Sequence, residues 1–251
     1  MTSDPSTAAG AQIRVLTYNV HGCKGNDRRI DPARIAAVIA ACQADIIALQ
    51  EVDVGRSRSG AVDQAEAIAR TLNIRSHFHP ALHLGEERYG DAIMTGLPLT
   101  VLKAGALPSI GEPRGAILGM VKTHGVELVV ANTHLGLRRR ERRRQVAELL
   151  GSEWLDHPNI RDLPTVFLGD FNAVPWSLSY RHLTRSFEET HTGPTLRGAA
   201  TFPARLPLIR IDHVFMRNGL TSRRAEVIDT PLSRVASDHL PVLVELALPA
   251  I

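Results

Sequence analysis

The sequence predicts one large α/β domain built on mixed sheets, and three observations carry that reading. The chain has 251 residues, 44% hydrophobic and 22% charged, which suits one domain with a sizeable core better than two small ones. Two strand–helix–strand units recur, one near the start and one past the middle. Between them lie consecutive strands separated by Gly and Pro turns, which imply antiparallel pairing, so the sheets are mixed.

In the first unit, residues 13–19 alternate and are β-rich, giving a strand that ends in Asn19-Val20-His21-Gly22. Asp31-Pro32 supplies an N-cap with proline at the first helical position, and Ile35, Val38, Ile39 and Cys42 follow at helical spacing. Residues 46–49 form a buried strand running into Gln50-Glu51-Val52-Asp53.

The second unit repeats the plan. Residues 126–131 form a strand ending in Asn132-Thr133-His134-Leu135-Gly136, and a helix follows with Val146, Leu149, Leu150 and Trp154 on one face. Then Thr165-Val166-Phe167-Leu168, bounded by Pro164 and Gly169, reads as a buried strand delivering Asp170. Each unit runs from a strand ending in Asn-x-His, through a helix, to a strand ending in an acid. This suggests a duplicated framework that places a polar cluster from each half at a shared edge.

The rest follows local signals. Residues 63–72 read as an amphipathic helix, and 91–95, 99–104 and 116–122 as strands. Residues 177–183 read as a short helix, 190–208 as a long surface loop, 211–216 as a strand opening on Asp212-His213, and 240–248 as the last strand, preceded by Ser237-Asp238-His239. Residues 1–11 read as a disordered leader without signal-peptide features, and 12–251 as the single domain. Cys23 and Cys42 lack zinc or redox spacing, so a reducing, cytoplasmic compartment is the expectation; a monomer is expected as well. The most apolar stretch, 35–49, is broken by Gln43 and Asp45 and is too short to span a bilayer.

The polar residues at strand ends are Asn19, Glu51, His134, Asp170, Asn172, Asp212, Asp238 and His239. Hard oxygen donors dominate and cysteine is absent, which favours Mg²⁺ or Mn²⁺ over zinc. Carboxylates flanked by histidines also suit a phosphoryl centre: a cation for its oxygens, a base to orient water, and an acid for the developing charge. Asp-x-Asn after a strand is equally ordinary turn chemistry, so the recurrence of the pattern carries the weight.

At these residues the sequence resembles the endonuclease/exonuclease/phosphatase superfamily, which spans abasic-site and DNase I-like nucleases, neutral sphingomyelinases and inositol-polyphosphate 5-phosphatases. The likeness lies in Thr17-Tyr18-Asn19-Val20-His21-Gly22, Leu49-Gln50-Glu51-Val52, Asn132-Thr133-His134-Leu135, Gly169-Asp170-Phe171-Asn172, Arg210-Ile211-Asp212-His213-Val214-Phe215 and Ser237-Asp238-His239-Leu240-Pro241-Val242. It implies a four-layer α/β sandwich, two packed mixed β-sheets with helices outside, and Mg²⁺-assisted in-line hydrolysis of a phosphoester, with a phosphodiester the leading expectation. It also implies roles. Glu51 would be the principal metal ligand, with Asn19 binding metal or orienting Asp170. Asp170 would be the base, Asn172 a donor to phosphoryl oxygens, and His239, oriented by Asp212, the group that stabilises charge. Asp238 would reach a second metal position. His134 would hydrogen-bond the phosphate or be satisfied by backbone.

Two positions depart from the pattern of the abasic-site branch: His21 stands where that branch carries an aspartate, and Asp91 where many relatives have asparagine. Arg114 reads either as a donor to a substrate phosphate or as an edge-strand solvent arginine. The run Arg138-Arg139-Arg140-Glu141-Arg142-Arg143-Arg144 concentrates the basic charge of a chain whose net charge is only +3, and it reads as a solvated face or as a contact for nucleic acid or anionic lipid. The substrate is open among DNA, RNA, phospholipid and small phosphoesters. A non-catalytic anion-binding protein that keeps the fold is the alternative. His77, His79 and His83 read as a surface turn rather than a zinc site, because Pro80 interrupts them.

Overall fold

The computed structural model describes residues 11–190 and 199–250, so the expected leader apart from Ala11, and part of the expected 190–208 loop, lie outside the described residues. The strands are β1 (Gln12–Asn19), β2 (Ile46–Val54), β3 (Arg75–Leu84), β4 (Glu87–Thr95), β5 (Leu99–Leu107), β6 (Arg114–Thr123), β7 (Val126–His134), β8 (Thr165–Asp170), β9 (Glu188–Glu189), β10 (Asp212–Arg217), β11 (Thr221–Val227) and β12 (Val242–Ala247). The helices are α1 (Pro32–Cys42), α2 (Gln64–Leu72), α3 (Arg139–Leu149), α4 (Leu178–Leu183) and α5 (Pro231–Ala236).

The strands form two six-stranded sheets, ordered β11-β12-β1-β2-β4-β3 and β5-β6-β7-β8-β10-β9. At the centre of each is one parallel pair, β1 with β2 and β7 with β8, and the other pairings are antiparallel. Alternation along each strand then divides the apolar side chains between two faces. Ile13, Val15, Ile46, Val130, Val166 and Val244 fill the space between the sheets. Leu16, Ile47 and Leu49 pack outward under Ile35, Ile39 and Ile68 of α1 and α2, while Phe167 and Phe215 pack outward under Val146 and Leu149 of α3. The result is the expected four-layer α/β sandwich.

Asp31 caps α1 through a bond from the Arg34 amide, and Asp63 caps α2 through the Glu66 amide. α3 ends at Leu149, short of Trp154, which instead packs against the same cluster from the following turns. The three histidines are not in a surface turn. They lie on β3, an edge strand where Pro80 is tolerated because only β4 pairs with it, and Gly90 stands opposite with no side chain to collide. Within the expected surface loop Thr201 and Ala204 are buried. β9, β11 and α5 were not expected: β9 has two residues, and β11 is a polar edge strand without an apolar alternation. No helix among the described residues is long and apolar enough to cross a membrane.

Register positions the polar residues. Asp170 closes β8, directly opposite His134 at the end of β7 on one side and Asp212 at the start of β10 on the other. The carboxyl end of β1 brings Asn19 from the facing sheet. A crevice beyond the carboxyl ends of parallel strands is where open α/β sheets bind ligands.

Candidate active site

Asp170 is the hub. Its Oδ1 accepts the Asn172 amide at 2.9 Å, and its Oδ2 accepts Asn19 Nδ2 at 3.0 Å, with His134 Nε2 at 3.3 Å and His239 Nε2 at 3.7 Å. Asn172 has a left-handed backbone (φ 47°), which turns the chain back so that its amide reaches the aspartate.

Glu51 reaches the same crevice by a different device. β2 carries a bulge between Leu49 and Val52, and Glu51 takes φ 60°, a strained conformation for a non-glycine residue. The bulge sends Gln50 between the sheets, where its Nε2 donates to Asn132 Oδ1 at 2.8 Å, and turns the Glu51 carboxylate to the mouth. There Glu51 Oε1 accepts Asn19 Nδ2 at 3.1 Å, so one asparagine amide is shared by two carboxylates. The Asn19 oxygen accepts the His21 amide at 3.0 Å. As placed, Asn19 is a donor between acids.

Asp212 and His239 form a buried dyad, His239 Nδ1 lying 2.9 Å from Asp212 Oδ2. Burial opposes a charge on His239, yet the carboxylates of Asp212 and Asp170 outweigh it and hold the imidazole up at about 10. Burial and the nearby Asp212 charge push Asp170 up to about 7, against the pull of His239. Phe202 tilts against the His239 ring with centroids 4.9 Å apart.

His134 behaves in the opposite way. Arg114 Nη1 lies 3.0 Å from Nδ1, and because an arginine can only donate, the ring proton belongs on Nε2, facing Asp170. Burial and the charges of Arg114 and His239 drive the His134 pKa well below its ordinary value. The Asn172 amide nitrogen is 3.1 Å from the same Nε2, and its bond runs to the Leu135 carbonyl at 2.9 Å.

Arg114 is not a solvent arginine on an edge. It lies on β6, between β5 and β7, is buried, and pairs with Glu112 at 2.8 Å while facing the crevice. Nor is the arginine run one solvated face. Arg142 turns inward and donates to the carbonyls of Gly136 and Leu137, and Glu141 is buried, accepting the amides of Ile110 and Gly111. Arg138, Arg139, Arg140, Arg143 and Arg144 stay exposed. Arg142 was legible: it precedes Val146 by four residues and Leu149 by seven, on the helix face that packs inward.

Glu51, Arg114, His134, Arg142, Asp170, Asn172, Asp238 and His239 share one open cavity of about 470 Å³, with Leu137, Phe202 and Ile209 on its apolar side. Asp238 stands apart at the rim, 3.4 Å from His21 Nδ1. Asp91 is buried, and burial raises its pKa well above the usual carboxylate range, against the charge of Arg114. His213 faces Glu189 at 2.6 Å and the Ala173 carbonyl at 2.7 Å, away from the cavity.

The site fits a hard divalent cation. Asp212 Oδ1 is buried with no hydrogen-bond partner, and Asp170, Asp212 and His239 have side-chain donor atoms within 4.8 Å of one another, the imidazole being able to ligate only after losing its proton. Glu51 Oε2 accepts no hydrogen bond among the described residues and opens to the same cavity.

A model of the endonuclease/exonuclease/phosphatase family matches residues 16–239. The uncharacterized protein YbhP of Escherichia coli (strain K12) is 27% identical over 261 residues, covering 97% of this chain and 100% of that one. Among solved structures, an endonuclease/exonuclease/phosphatase from Beutenbergia cavernae DSM 12333 is 24% identical, covers 95% of this chain and 72% of that chain, and has a TM-score of 0.78. The mannosyl-6-phosphatase of Bacteroides thetaiotaomicron VPI-5482 is 20% identical over 94% of this chain and 100% of that one, with a TM-score of 0.72. At these identities the structural likeness speaks for the fold.

Proposed function

The chain belongs to the endonuclease/exonuclease/phosphatase family, and from that premise we propose that it is a Mg²⁺-dependent phosphodiesterase acting by in-line attack of water. The observation that carries the reading is the convergence on Asp170 Oδ2 of Asn19, His134 and His239, at 3.0, 3.3 and 3.7 Å, beside a free Glu51 oxygen. A binding module has no use for a base, an imidazolium and a bare carboxylate within one crevice.

Glu51 would hold the cation, with Asp238 at the rim as a further oxygen donor and Asn19 fixing the distance between Glu51 and Asp170. When bound, Mg²⁺ or Mn²⁺ supplies charge neutralisation at the phosphoryl oxygens. Asp170 orients the attacking water and takes its proton, the general-base role that contributes about 10²–10⁴-fold in rate. The positive His239, anchored by Asp212, faces Asp170 across the crevice and stabilises the charge that develops on the phosphoryl group and the departing oxygen. Arg114 and Arg142 bring two more positive charges to the cavity wall. His134, neutral and held by Arg114, keeps its Nε2 proton on the Asp170 side and steadies the base.

A diester is favoured over a monoester because the cavity is open on its apolar side, where Leu137, Phe202 and Ile209 leave room for a second ester arm. The exposed arginines at the start of α3 flank Leu137 and give a polyanionic substrate, nucleic acid or anionic lipid, a surface to approach along. We take the enzyme to be a cytoplasmic, monomeric single domain. Hydrolysis of bis-(p-nitrophenyl) phosphate and p-nitrophenyl phosphate, with Mg²⁺, with Mn²⁺ and with EDTA, tests the reading. Expected is metal-dependent release, faster from the diester and abolished by Asp170→Asn. Equal release in EDTA, or full activity in the variant, would overturn it.

A further inference from the structure

His213 follows Asp212 on β10, so strand alternation points it the opposite way, out of the space between the sheets and towards Tyr180 of α4. There it is buried among Phe171, Tyr180 and Phe215, whose ring centroids lie 5.8, 5.2 and 5.6 Å from its own. Both of its nitrogens are engaged. Nδ1 lies 2.6 Å from Glu189 Oε1, and Nε2 lies 2.7 Å from the Ala173 carbonyl oxygen. A carbonyl can only accept, and Glu189 is an acceptor on its other oxygen as well, from Arg210 Nη2 at 2.8 Å and the Tyr180 hydroxyl at 2.6 Å. Burial would raise the Glu189 carboxyl, but the bonds from His213, Arg210 and Tyr180 hold it below its ordinary range. His213 therefore donates from both ends.

The place of Ala173 gives this bridge its consequence. The chain leaves β8 at Asp170, turns at the left-handed Asn172, and passes Ala173 before Val174 returns to the cavity wall. On the cavity side the turn is tied by the Asn172 amide to Asp170 Oδ1 and by Asn172 Nδ2 to the Leu135 carbonyl, each at 2.9 Å. On the far side the one side-chain bond to it, among the described residues, comes from His213. Ala173 is 1% exposed, so losing that donor leaves a buried carbonyl unpaired next to the residue that holds the base.

We propose that His213 is a positioning residue: bridging Glu189 and the Ala173 carbonyl from behind the sheet, it fixes the turn through which Asn172 holds Asp170 Oδ1. The inference rests on the phosphodiesterase reading, in which Asp170 orients the attacking water, and it adds to that machinery a residue that never meets the substrate. The base acts only from the right place: a misplacement of about 1 Å can cost about 100-fold in rate.

Two substitutions divide the bridge. In His213→Gln the side-chain amide stands near the place of Nε2 and can still donate to Ala173, whereas in His213→Asn it stands near the place of Nδ1 and reaches only Glu189. Each loses one buried bond and the ring, so both should lower Tm to a similar extent. His213→Asn should lower kcat for bis-(p-nitrophenyl) phosphate by about tenfold or more with KM within about twofold. It should also speed hydrogen exchange of the Asn172 amide by about tenfold or more relative to the Phe215 amide on β10. His213→Gln should stay within about threefold of the native protein in both measurements. Equal losses of kcat in the two variants, or an unmoved Asn172 amide in His213→Asn, would make the residue merely structural and overturn the proposal. In the native protein, nitrogen NMR of the histidine rings should show both nitrogens of His213 protonated, and a single protonated nitrogen would overturn the two-ended bridge. A native protein that cleaves no phosphodiester would sink the reaction, whereas Asn172 exchange in the two variants would still decide whether His213 holds the turn.

Discussion

Replacing Asp212 by asparagine tests the electrostatic core of the site. The side chain keeps its size and can still accept from His239 Nδ1, so only the charge is lost. In the native protein the imidazole is held up at about 10, against an ordinary value of 6.5. At about 1.4 kcal/mol per unit this corresponds to about 5 kcal/mol in favour of the charged ring. Burial works the other way, so the carboxylates supply more than that, and Asp212 is the largest of them. Without its charge the His239 pKa should fall by roughly two units or more. The assay is the titration of the His239 Cε1 proton by NMR in EDTA-treated protein. In parallel, the pH profile of kcat with Mg²⁺ should lose activity above neutrality. Linkage gives a second readout. A raised histidine pKa contributes stability that is complete below about pH 6.5 and is lost as pH rises towards about 10, so this part of the decline should shrink in the variant. An unchanged His239 titration would refute the dyad. A variant with an unchanged pH profile but a weakened Mg²⁺ requirement would instead make Asp212 a ligand.

Four further outcomes follow from the geometry. Glu51→Gln should raise the Mg²⁺ concentration needed for half-activation by tenfold or more in a titration of diesterase activity, and the metal-free protein should melt no lower than the native one. Asp170→Asn should lower kcat by roughly 10²–10⁴-fold yet raise Tm, because burial and Asp212 lift this carboxyl from 3.8 to about 7 and its ionisation costs stability as pH rises from about 4 to 7. The Tm gain should be larger at pH 8 than at pH 4. Arg142→Gln removes a charge from the cavity and its bonds to the Gly136 and Leu137 carbonyls, and should raise KM about tenfold while costing about 1 kcal/mol in denaturant unfolding. Replacing the outward Arg139, Arg140, Arg143 and Arg144 by serine should leave bis-(p-nitrophenyl) phosphate hydrolysis unchanged, and should reduce by about three the slope of log affinity against log salt for duplex DNA.

Much of the site was legible because each polar residue followed an apolar run that could only be a buried strand. Thr165 to Leu168 before Asp170 and Ile46 to Leu49 before Glu51 needed no partner to be read. The matching units likewise announced two halves meeting at one edge. Their likeness stops at the framework: His134 ends β7 and is buried, whereas His21 lies past β1 in a turn at φ 50°. Asn19 bonds Glu51 and Asp170, while Asn132 bonds the Leu49 and Ala92 carbonyls of the facing sheet and ties the two sheets together. What stayed hidden depended on contacts distant in sequence or on backbone that only tertiary packing enforces. The bulge at Glu51, the edge strand through Pro80, and the burial of Arg114 beside His134 have no local periodicity to betray them.

The site gathers like charges that no isolated fragment would hold together. Glu51 and Asp170 line a crevice with Asp238 at its rim and Asp212 behind His239, and its protein cations are Arg114, Arg142 and the His239 imidazolium. Asp170 and His239 register the conflict in opposite senses, since the carboxyl resists ionisation and the imidazole resists losing its proton. Both responses reduce negative charge in the crevice. A bound divalent cation would relieve the same strain, so protons and metal would compete for the site, and the metal should stabilise the fold more at pH 8 than at pH 5. The sandwich tolerates the arrangement because the acids are anchored from behind. Asn19 is shared between Glu51 and Asp170, His239 holds Asp212, and the Asn172 amide holds Asp170, so repulsion cannot be relieved by side chains swinging away. Rigid sheets on both sides hold the acids close together, and that pre-organisation is what the fold would contribute to the proposed chemistry.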